Sequence, residues 1–459
     1  MPASMREGGR LVVIGGVAAG MSAASRARRL RPDVEIVVLE KGDDVSYGSC
    51  LLPYFISGAI ESRDGVVHYP ASFFRTERNI DVRTGVEATA VDAVARTVTC
   101  RGPDGDESTL EYDALVLATG ARAVKPPLPG IDIPGVVTLR NLDDGERLKE
   151  LVDSGSVSKA VVVGAGYIGL EMTESLSERG LSVTMIEMLP SVMTTFDPDM
   201  SELAERELLD RGVILRKGTR VEGFEPADGT DRLGWVLAGG QRLEADMALV
   251  SIGVRPAVEL AAGAGIELGP TGAIKVDARQ VTSSPSVLAA GDCSEARHVI
   301  TGRPVWIPLG TTANRQGKIA GENAVGGAAR FAGVAGSNVA RVFGLEVSQT
   351  GLTEREATEA GLDVVVSTIE SISHPRSYPG SGPVHVKLVF DRCTGRLFGG
   401  QIVGVKGAGK RIDTIATALY AGMSVADLAD VDLSYAPPFS PVWDPVSMAA
   451  LQAVKKVGA

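Results

Sequence analysis

Residues 11–20 read Leu11-Val12-Val13-Ile14-Gly15-Gly16-Val17-Ala18-Ala19-Gly20. Four apolar residues in a row, halted at once by glycine, form a short buried strand. The glycines permit a tight turn, and Met21–Leu30, small and basic, suits a helix. A second strand, Val34–Leu39, ends in Glu40, twenty positions beyond Gly20. Strand, glycine turn, helix, strand and acid together make a βαβ unit that takes a dinucleotide. The helix N-terminus meets the pyrophosphate, and Glu40 accepts hydrogen bonds from the ribose hydroxyls. Val17 stands where the middle glycine of such a turn is usual, so its side chain is expected to point away from the phosphates.

The same pattern recurs in the second third of the chain. Lys159–Val163 is a strand, Gly164-Ala165-Gly166-Tyr167-Ile168-Gly169 is a full GxGxxG turn, and a helix runs through Arg179. The strand Ser182–Ile186 and Glu187 complete it, the acid lying eighteen positions beyond Gly169. One such turn is weak support; two, each with its strands, helix and acid, point to two dinucleotide sites. Glu187 suits an unmodified ribose 2′-hydroxyl, and Met188 and Leu189 bring no arginine for a 2′-phosphate, so NADH is expected over NADPH.

Working outward, Tyr112–Gly120 (YDALVLATG) and Asp246–Gly253 (DMALVSIG) are matching apolar strands, one for each unit, and Val287–Asp292 (VLAAGD) is a further strand ending in an acid. From about residue 335 the composition changes to alternating strands, Val384–Phe390 and Gly400–Val405, and a helical stretch, Gly409–Tyr420. The whole is an α/β chain: two Rossmann-like dinucleotide-binding domains plus an α+β C-terminal domain.

Composition bounds the rest. The chain has 459 residues, consistent with about three domains. With 44% hydrophobic residues it builds a sizeable core, and its net charge of −11 argues against nucleic acid and anionic membrane as partners. Four cysteines, Cys50, Cys100, Cys293 and Cys393, are too few and scattered for a disulfide scaffold, and none has metal-ligand spacing, so no metal is expected. No apolar run reaches the ~18 residues of a membrane span. A cytoplasmic location is expected.

The order of these motifs resembles that of the flavin-dependent pyridine nucleotide–disulfide oxidoreductases. The resemblance implies an FAD domain (residues 1–122 and 250–330) interrupted by an NADH domain (123–249) and followed by a dimerisation domain (331–459), assembled as a homodimer. It assigns Gly15, Gly20, Glu40, Ser46, Thr119, Gly120, Gly291 and Asp292 to FAD, and Gly164, Gly166, Ile168, Gly169 and Glu187 to NADH. Leu309–Gly317 (LGTTANRQG) resembles the family's helix near the flavin pyrimidine edge, with Thr311, Thr312 and Ala313 as candidates there.

Cys50 decides the subclass. It lies ten residues after Glu40 in Val45-Ser46-Tyr47-Gly48-Ser49-Cys50-Leu51-Leu52-Pro53-Tyr54. Read alone, it is either a small buried hydrophobe or a thiolate stabilised at a helix start. With no second cysteine close in sequence, a redox role needs an exogenous sulfur partner or a sulfenic acid. Ser46 and Cys50 fit the Ser-x-x-x-Cys motif of the single-cysteine branch: coenzyme A disulfide and persulfide reductases, NADH oxidases and peroxidases. Ser49 departs from the asparagine often found there. Ala18 stands where peroxidases and many oxidases of this branch carry histidine, which favours the reductases. Resemblance to coenzyme A disulfide reductases implies that Tyr378 and Tyr435 reach the partner subunit's cysteine as proton donors. Arg26, Arg29 and Arg75 are candidates for coenzyme A phosphates. The expected function is NADH-dependent reduction of coenzyme A disulfide or persulfide through Cys50. The alternatives are an NADH oxidase or peroxidase, or a flavoprotein donating electrons to a protein partner.

Overall fold

The computed structural model describes residues 5–458. The first apolar strand, Arg10–Ile14, is central in a five-stranded parallel sheet ordered Val287–Ala289, Ala114–Leu117, Arg10–Ile14, Glu35–Leu39, Asp81–Arg83. A second parallel sheet repeats the plan: Val136–Val137, Met247–Val250, Lys159–Val163, Ser182–Ile186, Ile214–Arg216. In both, the strand before the glycine turn is covered on both faces, so every residue after its first, Arg10 or Lys159, is apolar and buried. Each unit also carries a three-stranded antiparallel meander, Glu87–Glu111 in the first and Val221–Glu244 in the second. The chain passes between the units through a two-stranded ribbon, Ala121–Ala123 against Val254–Pro256.

Among the described residues twelve helices surround the sheets. In chain order they are α1 (Ala18–Leu30), α2 (Leu52–Ser57), α3 (Ala71–Arg78), α4 (Leu142–Asp153), α5 (Tyr167–Glu178), α6 (Pro198–Asp210), α7 (Glu259–Gly263), α8 (Gly310–Ala324), α9 (Glu354–Glu359), α10 (Ile412–Ala421), α11 (Val425–Ala429) and α12 (Pro445–Val454). Helix α1 begins three residues before the expected Met21, because the glycine turn is already its first helical turn. It packs so closely on α8 that a methyl group at Gly317 or Gly321 would collide with the backbone of Ala19 or Ala23.

The third sheet is antiparallel, ordered Asn338–Val342, Leu345–Gly351, Leu397–Gly404, Pro383–Asp391, Val364–Ile372. Helices α10, α11 and α12 cover one face. The sheet is tied to the second unit by the buried Lys387, whose Nζ lies 3.2 Å from Asp197, 2.9 Å from Asp199 and 3.0 Å from Glu354. Gln401 and Asp197 exchange two further hydrogen bonds across the same seam. The expected helix Gly409–Tyr420 opens with a 3-10 turn, Gly409–Arg411, before α10.

Candidate active site

The two glycine turns are geometric copies. Gly15 and Gly164 hold φ of +106° and +102°, a region that favours glycine, and an added β-carbon at either would strike the carbonyl of Ala118 or Ser251. The last glycine of each turn, Gly20 or Gly169, packs on the carbonyl of the first. The middle position has negative φ in both, −81° at Gly166 and −99° at Val17. A β-carbon at Gly166 would meet no protein atom, and this explains how valine is tolerated in the first turn.

The acids are copies too. Glu40 accepts the Gly16 and Gly42 amides at 2.7 and 2.8 Å, and Glu187 accepts the Ala165 and Leu189 amides, both at 2.8 Å. Neither α1 nor α5 has a side-chain N-cap, so the first amides of both helices are free for an anion. These features fit a dinucleotide diphosphate and ribose at each turn.

Around the first turn the other candidates converge. The Ser46 amide donates to the Gly16 carbonyl at 2.9 Å, with Ser46 at φ +52°. Thr119 Oγ1 donates to the Ala257 carbonyl at 2.6 Å. Gly291, its amide held by Gln316 Oε1 at 2.9 Å, sits against Ala19 and Ala313. Helix α8 starts at Gly310 without a side-chain cap, leaving the amides of Thr311 and Thr312 in its first turn, whereas the Ala313 amide donates to the Leu309 carbonyl at 2.9 Å. Asp292 receives Arg140 at 2.8 Å, a residue that motif reading passed over because no fingerprint contains it.

Cys50 lies within a 3-10 turn, Ser49–Leu51, that leads into the six-residue α2. The apolar face of α2, Leu52, Phe55 and Ile56, is buried in the core of the second unit, with Leu170 and Met172 of α5. The cysteine is thereby held between the two units. It is free and exposed to solvent. Thiolate stabilisation by a helix start, expected above, is not what the surroundings give. Burial by flanking protein is the largest influence and pushes the thiol up, the Glu171 and Asp292 carboxylates push it further, and Arg140 opposes them. The dipole of so short a helix is a weak counterweight.

Glu171 was also passed over. Burial, then Glu174, pushes its carboxyl up to about 7, against the pull of Arg341. The signal in the sequence was a lone acid in the apolar helical run Tyr167-Ile168-Gly169-Leu170-Glu171-Met172.

A model of the pyridine nucleotide-disulphide oxidoreductases matches residues 9–317, and one of their dimerisation domain matches residues 339–445. The chain belongs to this family. Among its relatives in the pyridine nucleotide-disulphide oxidoreductases, an NADH oxidase of Methanocaldococcus jannaschii is 38% identical over 98% of this chain and 99% of its own. A CoA-dependent NAD(P)H sulfur oxidoreductase of Pyrococcus furiosus is 39% identical over 96% and 98%. The solved structure of an NAD-dependent persulfide reductase from A. fulgidus superposes with a TM-score of 0.93 at 40% identity, over 97% of this chain and 83% of that one.

Other candidates of this pyridine nucleotide-disulphide oxidoreductase lie away from Cys50 in the chain's own contacts. Arg26 is paired with Glu322 at 2.5 Å across α1 and α8, Arg75 donates to the Val82 carbonyl at 2.7 Å, and Arg29 is exposed at the far end of α1. Tyr378 and Tyr435 are 40% and 48% exposed, with Phe439, Val442 and Trp443 exposed beyond Tyr435. Among the described residues no helix is long and apolar enough to cross a membrane.

Proposed function

We propose that this oxidoreductase is a homodimeric, cytoplasmic NADH-dependent reductase of coenzyme A disulfide or coenzyme A persulfide. The observation that carries the reading is the place of Cys50. It is a free, accessible cysteine under the charge of Asp292 from the first unit and Glu171 from the second. In this reading residues 1–122 and 250–330 hold FAD, 123–249 hold NADH, and 331–459 form the dimer.

Gly15, Gly20 and the α1 amides hold the FAD diphosphate, Glu40 its adenosine ribose, and Asp292 its ribityl chain. Ser46, Thr119, Gly120 and Gly291 would shape the walls, and Thr311, Thr312 and Ala313 at the start of α8 would line the flavin end, the first two through free amides. FAD held there would supply the two-electron relay between NADH and sulfur. Gly164, Gly166, Ile168, Gly169 and Glu187 hold NADH. Cys50, freed as a thiolate, attacks the disulfide, displaces one thiolate and keeps the other sulfur as a mixed disulfide. Tyr435 and Tyr378 of the partner subunit protonate the departing sulfur; a phenol of pKa near 10 is suited to that transfer. Arg26, Arg29 and Arg75 offer charge to the coenzyme A phosphates. The net reaction is one NADH, one proton and one disulfide giving NAD⁺ and two thiols.

The test is anaerobic NADH consumption with coenzyme A disulfide set beside coenzyme A persulfide. Turnover abolished by Cys50→Ser is the expected result. Full activity in Cys50→Ser overturns the reading, and an NADH oxidation that needs oxygen instead supports the oxidase alternative.

A further inference from the structure

Tyr378 and Tyr435 are exposed, and both ride on irregular backbone. Tyr378 lies in the connection between the strands Val364–Ile372 and Pro383–Asp391, and Tyr435 in the stretch between α11 and α12. A side chain that must reach a partner cannot be fixed by packing in its own core. Its position is set by whatever anchors the loop beneath it.

One side chain anchors both loops. Arg411 ends the 3-10 turn before α10, and its side chain is 10% exposed. Its Nη2 donates to the Ser373 carbonyl at 2.9 Å, at the root of the Tyr378 loop, and to the Phe439 carbonyl at 2.8 Å, four residues beyond Tyr435. Its Nη1 donates to the Gly407 carbonyl at 2.5 Å, and its Nε to Asp444 Oδ2 at 2.8 Å. Asp444, 12% exposed, is fixed in turn: Oδ2 also accepts the Ser440 hydroxyl at 2.9 Å, and Oδ1 caps α12 through the Val446 amide at 2.9 Å. A planar guanidinium can serve four acceptors from four places in the chain, whereas an ammonium has three donors on a single atom.

From Arg411 the contacts run on to each tyrosine. Ser373 Oγ lies 3.0 Å from His374 Nδ1, and His374 Nε2 donates to the Pro379 carbonyl at 3.1 Å, so the imidazole spans the loop on both sides of Tyr378. Its ring also meets Tyr378 edge-on, 5.3 Å between centres. The Ser381 hydroxyl closes the loop on the His374 carbonyl at 2.6 Å. On the other side, the Phe439 and Ser440 amides donate to the Ala436 carbonyl at 2.9 and 3.1 Å, a turn that begins one residue after Tyr435.

We propose that Arg411, locked by Asp444, is the positioning residue that holds the Tyr378 and Tyr435 loops in one register, so that both phenols meet the partner's Cys50 together. The inference rests on the proton-donor role given above to the two tyrosines. Arg411 itself moves no proton; it acts through the backbone carbonyls of two loops.

A mutant cycle on the holoenzyme tests this. Arg411→Lys keeps the charge and loses the fork, and Asp444→Asn keeps a capping oxygen for α12 and loses the charged partner of Arg411. Each is expected to lower kcat for coenzyme A disulfide about tenfold or more, while anaerobic flavin reduction by NADH keeps its wild-type rate. In a Tyr378→Phe, Tyr435→Phe enzyme, which lacks both phenols, adding Arg411→Lys is expected to change kcat by less than about twofold. A role confined to folding gives the same loss on either background, so an undiminished loss there overturns the proposal, as does wild-type turnover in Arg411→Lys. Should Arg411→Lys give no folded protein, Asp444→Asn carries the same cycle. Wild-type turnover in the doubly substituted phenylalanine enzyme overturns the proton-donor role itself, and this inference with it.

Discussion

Glu40 and Glu187 do the same two jobs at once: each carboxylate pins the glycine turn through one amide and the following loop through another. That double anchor fixes where the remaining lone pairs point, so a ribose meets a preset acceptor. Removing it at Glu187 unfixes the turn and removes the charge that repels a 2′-phosphate. Glu187→Ala is therefore expected to raise KM for NADH about tenfold or more, the value of a hydrogen bond to a charged group. It is also expected to raise the NADPH to NADH ratio of kcat/KM, measured by steady-state kinetics. Both acids were legible in the sequence from their spacing. Arg140 and Glu171 were not, because their meaning depends on what faces them from other elements.

At the level of elements, the decisive contact is α1 against α8. Gly317 and Gly321 lie one helical turn apart on the face of α8 that meets Ala19 and Ala23 of α1. Small residues there bring the two helix starts together over the end of the Val287–Ala289 strand, where Gly291 and Asp292 emerge. Gly321→Ala is expected to push the helices apart. The overpacking costs about 1–3 kcal/mol, read as a lower thermal midpoint and less FAD per purified chain. Unchanged stability and flavin content would show that the helices part freely. The strands and helices themselves were readable from periodicity, with boundaries shifted by a few residues. Helix α1 shifted most usefully, since a glycine turn that binds phosphate is also a helix start.

For the whole molecule, the third sheet is bolted to the second unit by Lys387, Asp197 and Gln401, while the Tyr435–Trp443 segment presents exposed aromatic and apolar side chains. A large apolar patch left open on one chain suits burial against a second. Trp443→Glu is expected to shift the protein from dimer to monomer in sedimentation or light scattering. Disulfide turnover should fall with it, while anaerobic flavin reduction by NADH persists. A Trp443→Glu dimer with wild-type turnover would remove this segment from the interface.

By itself the sequence determined the two dinucleotide units, their acids, the order of domains and the place of Cys50 in its Ser-x-x-x-Cys motif. Those features are local: a glycine turn, an apolar strand and an acid at fixed spacing each follow from backbone sterics and periodicity along one stretch of chain. Only the tertiary structure decided what surrounds Cys50. Its neighbours Glu171, Asp292 and Arg140 come from three distant segments, and burial is the largest influence pushing the thiol up. Electrostatics in a folded site is a sum over everything brought near, and no spacing along the chain contains that sum.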